Sequence, residues 1–279
     1  MTRLGAAVLL GAIFATGSVA HAAIDTIGSD EPATVGRAAA RGVAFGPDAA
    51  CDLDTATAIG QRHPDVDQLI VMATAGSTAA TGTVEVAVRT VGGWRCQLST
   101  MPAMFGRTGT RPLVERRSGD GTTPAGVFAL GVVDAWDGQT FSMFGNSPDP
   151  GVLAPYRDVR PEDCWGATAG RPSYGHLVND QGCPGPDDEW LPRFNQVYAH
   201  AAVIGANLDP VSGDQPGETP YASAIFLHRH SYNAAGAAKP TSGCVSLAYD
   251  DLVDTLRIID PRLNPHFAIG TTTYLRTTA

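Results

Sequence analysis

The chain carries no surplus of positive charge: its formal net charge is −9 over 279 residues. Nucleic-acid binding needs excess Lys and Arg to displace counterions from phosphates, so no nucleic-acid partner is expected. No basic run or basic amphipathic segment is present, so adsorption on anionic lipid has no support either. Past the first 22 residues no apolar run approaches the ~20 needed to span a bilayer. No His, Cys, Asp or Glu set has metal-ligand spacing, and no phosphate-cradling Gly loop precedes a helix. No metal and no cofactor are therefore expected. Internal repeats and low-complexity arrays are missing too.

What is present suits an exported globular protein. Arg3 gives a short positive start, residues 4–15 are apolar, and Ala20-His21-Ala22 offers an A-x-A cleavage site. Residues 1–22 are read as a signal peptide, which puts the mature protein in the cell envelope or outside the cell. An uncleaved anchor is the alternative, though the run is short for spanning. No Cys near the cleavage point invites a lipid anchor.

Residues 23–66 have weak periodicity and are read as a partly ordered leader with one short helix near 51–61. Residues 67–279 are expected to form one domain, and the protein a monomer. Leu69-Ile70-Val71-Met72 suits a buried strand, and Thr83-Val84-Glu85-Val86-Ala87-Val88-Arg89 alternates as a half-buried strand does. Gly92-Gly93 marks a turn into a hairpin partner at 94–98. Further strands are expected at 126–130, 201–204, 224–227 and 267–269, with a helix at 249–259 capped by Asp250 or Asp251. The fold class is mainly β, sandwich- or barrel-like, with a few short helices and a long irregular loop region over 134–198.

Five cysteines remain: Cys51, Cys96, Cys164, Cys183 and Cys244. In an exported protein an odd count suggests pairs plus one free thiol. Sequence leaves the pairing open. Cys164 with Cys183 would restrain a loop rich in Gly, Pro and Asp, and Cys51 with Cys96 would tie the N-terminal segment to the first sheet. That partition frees Cys244, as a reactive thiol or as a buried structural one.

Chemistry concentrates at Leu227-His228-Arg229-His230 and Thr241-Ser242-Gly243-Cys244-Val245. A free thiol has pKa ~8.5, so it is a poor nucleophile at neutral pH without a neighbouring base or cation. A His can be that base. Gly243 removes bulk beside the sulfur, and backbone N–H groups in the turn at 242–244 can face a developing oxyanion.

Two motifs carry a family resemblance. Gly119-Asp120-Gly121-Thr122-Thr123-Pro124-Ala125-Gly126-Val127-Phe128 is similar to the GDG-x-TP-x-GVF segment of the L,D-transpeptidase catalytic-domain (YkuD-like) family. Ala224-Ile225-Phe226-Leu227-His228 with Thr241-Ser242-Gly243-Cys244-Val245 resembles its His…[Ser/Thr]-x-Gly-Cys segment. Pro155-Tyr156 and Asp163-Cys164-Trp165 resemble its secreted branch, and the likeness spans about residues 68–270. The resemblance implies Cys244 as nucleophile, His228 as base, the Arg229 carbonyl as orienter, and Gly243 with Cys244 as oxyanion donors. Thr241, Ser242 and Ser246 would contact substrate. It implies peptidoglycan stem peptides as partners, 3→3 cross-linking through a Cys acyl-enzyme, and acylation by carbapenems. An L,D-carboxypeptidase or other thiol hydrolase, or a non-catalytic wall-binding module, is the alternative. The chain departs from the pattern with Ser242 where many members have His, and Ser246 where many have Arg or Asn.

Other residues have local reasons to be where they are. The Gly-Asp-Gly-Thr run is an ordinary turn sequence. His176 is read as solvent-facing, His200 as structural, and Asp187-Asp188-Glu189 as a solvated turn. Trp165 and Trp190 suit core packing at least as well as a cleft wall.

Overall fold

The computed structural model describes residues 50–180, 183–208 and 220–279. The expected signal peptide and residues 23–49 of the expected leader lie outside the described residues.

Helix α1 (Leu53–Arg62) leads into a meander of β1 (Gln68–Thr74), β2 (Thr81–Thr90) and β3 (Gly93–Met104). Next come β4 (Thr110–Pro112) and β5 (Thr123–Ala129). Short strands fill the middle: β6 (Val133–Asp134), β7 (Thr140–Phe141), β8 (Met143–Gly145), β9 (Tyr156–Asp158), β10 (Asp163–Trp165), β11 (Leu177–Asn179) and β12 (Glu189–Trp190). The chain ends with β13 (Ala201–Val203), β14 (Phe226–Arg229), β15 (Val245–Leu247), α2 (Tyr249–Ile258), β16 (Pro265–Thr271) and α3 (Thr272–Thr277). Eleven strands join one mixed sheet in the order β4-β5-β16-β1-β2-β3-β15-β14-β13-β8-β9. The fold is mainly β, as the alternating patterns imply.

β1 reads as a continuous apolar run because both its faces are covered. Ile70 and Met72 enter one core with Phe267, Ile269, Leu252 and Leu256. Leu69 and Val71 meet Ile59 and Leu275 on the other side. Each such side chain contributes about 1.5–3 kcal/mol by leaving water.

β2 differs from the half-buried strand its alternation suggests. Glu85, an outward position by pattern, is only 5% exposed. The segment entering α1 covers that face. Asp52 N–H donates to Glu85 Oε1 at 2.9 Å, and Thr100 Oγ1 donates to Oε2 at 3.1 Å. A Cys51–Cys96 disulfide holds the cover down.

Helix α2 has Ala248 as its N-cap, with no side-chain capping bond; Asp250 and Asp251 sit inside the first turn. There they meet the positive end of the helix dipole and do not cap. The expected strand at 224–227 starts two residues late, because Ala224 has φ +54°. That left-handed conformation ends strand pairing for a residue with a Cβ.

Residues 134–198 are loop-rich but not shapeless. β10 pairs with β11 and β12, and β6 with β7. Arg157, 1% exposed, anchors the region through ion pairs to Asp163 and Asp137. A second disulfide, Cys164–Cys183, closes the loop beside β10.

Candidate active site

β14 and β15 run parallel, with Leu227 opposite Val245 and His228 opposite Ser246. Side chains alternate between sheet faces. Leu227, Val245 and Leu247 therefore enter the large core under α2. Phe226, His228, Cys244 and Ser246 share the other face, where Phe226 and Cys244 join Trp165, Phe144 and Tyr198. Phe226 packs edge-to-face against Trp165 at 4.8 Å and Phe144 at 5.0 Å.

Cys244 is the free cysteine among the five. It is 8% exposed and borders a cavity of about 300 Å³ that Arg116, Glu189, Ala224, Ser242 and Gly243 also line. Its Sγ donates to the Ala224 carbonyl at 3.2 Å and accepts from Phe226 N–H at 3.4 Å. The left-handed Ala224 is thus the residue whose carbonyl meets the sulfur, a strained conformation costing about 1–3 kcal/mol beside a reactive group. Burial pushes the thiol well above its usual pKa. Glu189 pushes it further up, while Phe226 N–H and Arg116 pull it down.

The imidazole of His228 is 5% exposed. Its Nδ1 lies 2.7 Å from the Arg229 carbonyl. Since a carbonyl only accepts, Nδ1 carries the proton and Nε2 keeps a lone pair. Burial pulls the His228 pKa down to about 4, so the ring is neutral at neutral pH. Tyr198 packs edge-to-face on it at 5.4 Å. The sulfur's hydrogen bonds are to Ala224 and Phe226, not to this ring.

The other sequence-derived residues divide. Thr241 Oγ1 donates to the Cys244 carbonyl at 2.6 Å and accepts from Gly243 N–H at 3.2 Å, closing the turn. Ser242 is exposed and faces the cavity. Ser246 is fully buried, with Oγ 2.9 Å from His230 Nδ1, and does not line the cavity. The guanidinium of Arg229 lies over the Tyr249 ring at 5.3 Å. His200 bridges the Tyr156 and Tyr249 hydroxyls, His176 is exposed, and Trp165 is buried while Trp190 is 40% exposed.

The Gly-Asp-Gly-Thr-Thr run is both a turn and the support of the nucleophile. Gly119 and Gly121 have φ of +83° and +77°. Asp120 accepts from Thr122 N–H and Arg117 N–H, at 2.8 and 2.9 Å. Thr123 Oγ1 then reaches the Cys244 carbonyl at 3.3 Å. A Cβ at Gly243 would stand 3.2 Å from the Thr122 carbonyl and 3.6 Å from Arg116 Nη2, which explains the glycine there.

Arg116, Glu189 and Tyr198 belong to the site without having stood out in the sequence. Arg116 sits three positions before the Gly-Asp-Gly run and brings a 2%-exposed guanidinium to the cavity. Glu189 accepts a hydrogen bond from the Tyr198 hydroxyl, and burial raises its pKa to about 7. The acidic run was the available signal. Its members have three different tasks: Asp187 borders the cavity, Asp188 accepts from Ala167, Thr168 and Gly185 N–H groups, and Glu189 faces Cys244. Among the described residues no group of three or more His, Cys, Asp or Glu could hold a metal ion, and no helix is long and apolar enough to cross a membrane.

The family model of the L,D-transpeptidase catalytic domain matches residues 88–266, more than half of the chain. No curated protein and no solved structure matches.

Proposed function

From the premise that this chain belongs to the L,D-transpeptidase catalytic-domain family, a family of peptidoglycan-related enzymes, we propose that it is an exported cysteine acyl-transferase of wall stem peptides. The observation that carries the reading is Cys244, a free thiol at the edge of a cavity inside the matched region, on the same sheet face as a neutral imidazole.

The thiol, not the thiolate, is the resting form, because burial raises Cys244 and lowers His228. Proton transfer therefore accompanies attack. Nε2 of His228 takes the thiol proton as Sγ leaves the Ala224 carbonyl and bonds to the carbonyl carbon between the third stem residue and the terminal D-Ala. The Arg229 carbonyl steadies the imidazolium through Nδ1–H. The backbone N–H of Cys244 stabilises the oxyanion; the Gly243 N–H, expected to join it, is instead taken by Thr241 Oγ1. D-Ala departs with the proton from His228. A stem amine then takes the acyl group, giving a 3→3 cross-link, and water in its place gives an L,D-carboxypeptidase. Hydrolysis gains support from Ser246, which is turned to His230 and offers the cavity no substrate contact. Residues 1–22 as a cleaved signal and 67–279 as the catalytic domain complete the proposal.

The test is D-Ala release from tetrapeptide muropeptides. Cys244→Ala should reduce it by roughly 10³-fold or more while the fold survives. Undiminished release sinks the reading. Adding an acceptor amine separates transfer from hydrolysis, and a covalent carbapenem adduct on Cys244 by mass spectrometry separates both from a wall-binding module.

A further inference from the structure

Arg116 is the least expected charge in the protein. Its side chain is 2% exposed, yet it lines the cavity beside Cys244. Buried cations are costly unless paired, so its partners need accounting. Nη1 donates to the Tyr221 carbonyl at 2.5 Å, and Nε to Thr122 Oγ1 at 3.4 Å. Both acceptors are neutral. The nearest acid is Asp120, whose Oδ1 stands 3.6 Å from Nη2. That carboxylate is already engaged: Oδ1 accepts from Thr122 N–H and Oγ1, and Oδ2 from Arg117 N–H. Nη2 also lies 3.6 Å from the point where a Cβ on Gly243 would project, so it faces the nucleophile's turn. The guanidinium is held on two sides, its charge only partly offset by an Asp120 carboxylate shared with other donors, and it borders the cavity.

We propose that Arg116 is the carboxylate-binding group of this cavity, holding a substrate carboxylate beside the carbonyl that Cys244 attacks. Under the transpeptidase reading, on which this assignment of ligand rests, the anion is the free carboxylate of the departing D-amino acid. That group lies one Cα beyond the scissile nitrogen, and a planar fork can grip it with two parallel hydrogen bonds. Asp187 and Glu189 also border the cavity. Glu189, bonded to Tyr198 and half protonated near pH 7, only partly opposes an anion there.

Two probes of the full chain test this. The first needs no peptidoglycan. Iodoacetate and iodoacetamide alkylate the same thiol and differ in charge, so their rate ratio, normalised to a free thiol, reads the cationic charge at the cavity, which Arg107 also lines, and its change on substitution reads the share of Arg116. Arg116→Gln should lower the ratio by about tenfold, and Arg116→Lys should keep most of it. Loss of thiolate stabilisation alone would slow both reagents equally. A ratio unchanged in R116Q overturns the proposal, with circular dichroism confirming that the variant is folded. The second probe compares tetrapeptides ending in carboxylate and in carboxamide. R116Q should lose roughly 10- to 100-fold in kcat/KM on the carboxylate form and little on the amide. Equal losses on both overturn the assignment. If the alkylation ratio falls but wild type turns over neither peptide, the anion site stands and the transpeptidase reading fails.

Discussion

On the side of the sheet built from β1, β2 and β16, mostly apolar side chains cover both faces, with Glu85 of β2 a buried charged exception. Ile70 and Met72 face α2, while Leu69 and Val71 face α1 and α3. On the side built from β14 and β15 only one face is like this. The other buries a thiol, an imidazole, a phenol and two charge-bearing groups, among them Cys244, His228 and Tyr198. The first side gains stability from burial. The second gives some of it up, because each polar group loses water and shifts toward its neutral form. The contrast teaches that the sheet supports chemistry where its packing is least purely apolar.

Paired truncations put the contrast under most strain. Phe267→Ala and Phe226→Ala should each cost about 3–5 kcal/mol in denaturant unfolding. Phe226→Ala should also admit water to Cys244 and move its alkylation pKa down toward ~8.5, an effect absent in Phe267→Ala. Equal thiol titrations in the two variants would break the distinction.

The disulfides offer a second comparison. Cys51–Cys96 closes 45 residues on the apolar side, and Cys164–Cys183 closes 19 beside the cavity loop. Chain-entropy arguments give about 4 and about 3 kcal/mol respectively. Cys51→Ala with Cys96→Ala should lower Tm and leave the alkylation rate of Cys244 unchanged. Cys164→Ala with Cys183→Ala should change that rate as well.

Glu189 and His228 give opposite pH slopes. Glu189 keeps its proton in the folded state from 4.5 up to about 7, so its stability contribution is whole below 4.5 and lost as pH rises through about 7. His228 stays neutral in the folded state from 6.5 down to about 4, so its contribution is whole above 6.5 and lost as pH falls through about 4. Glu189→Gln should remove the first slope in urea melts at several pH values and speed Cys244 alkylation by about three- to tenfold. The smallest signal is spectroscopic: the His228 ring should titrate near 4 by NMR, and a midpoint near 6.5 would contradict its burial.

The longer strands β1, β2 and β16 are legible in the residue pattern, because apolar runs and period-two alternation accumulate over their length. β6 to β12 are not, since strands of two or three residues are too short to display a period. The burial of Glu85 is hidden because its cover, Asp52 and Cys51, lies thirty-odd positions away. At the site, Cys244, His228, Gly243 and Thr241 stand out because they occupy one short stretch and its neighbouring strand. Arg116 and Tyr198 come from loops, and Glu189 from the two-residue strand β12, so none of them sits in a pattern long enough to single it out. For Ser246 the family resemblance implies a substrate contact, and its bond to His230 turns it away from the cavity.

By itself the sequence determined the mainly β class, the motifs that mark the family and the odd cysteine, since these depend on local spacing, residue type and count. Only the tertiary structure decided which cysteines pair, that the Gly-Asp-Gly-Thr-Thr run buttresses the Cys244 carbonyl, and that Arg116 and Glu189 flank the thiol. Those facts depend on loop closure and desolvation, and both are set by which distant segments come to lie together.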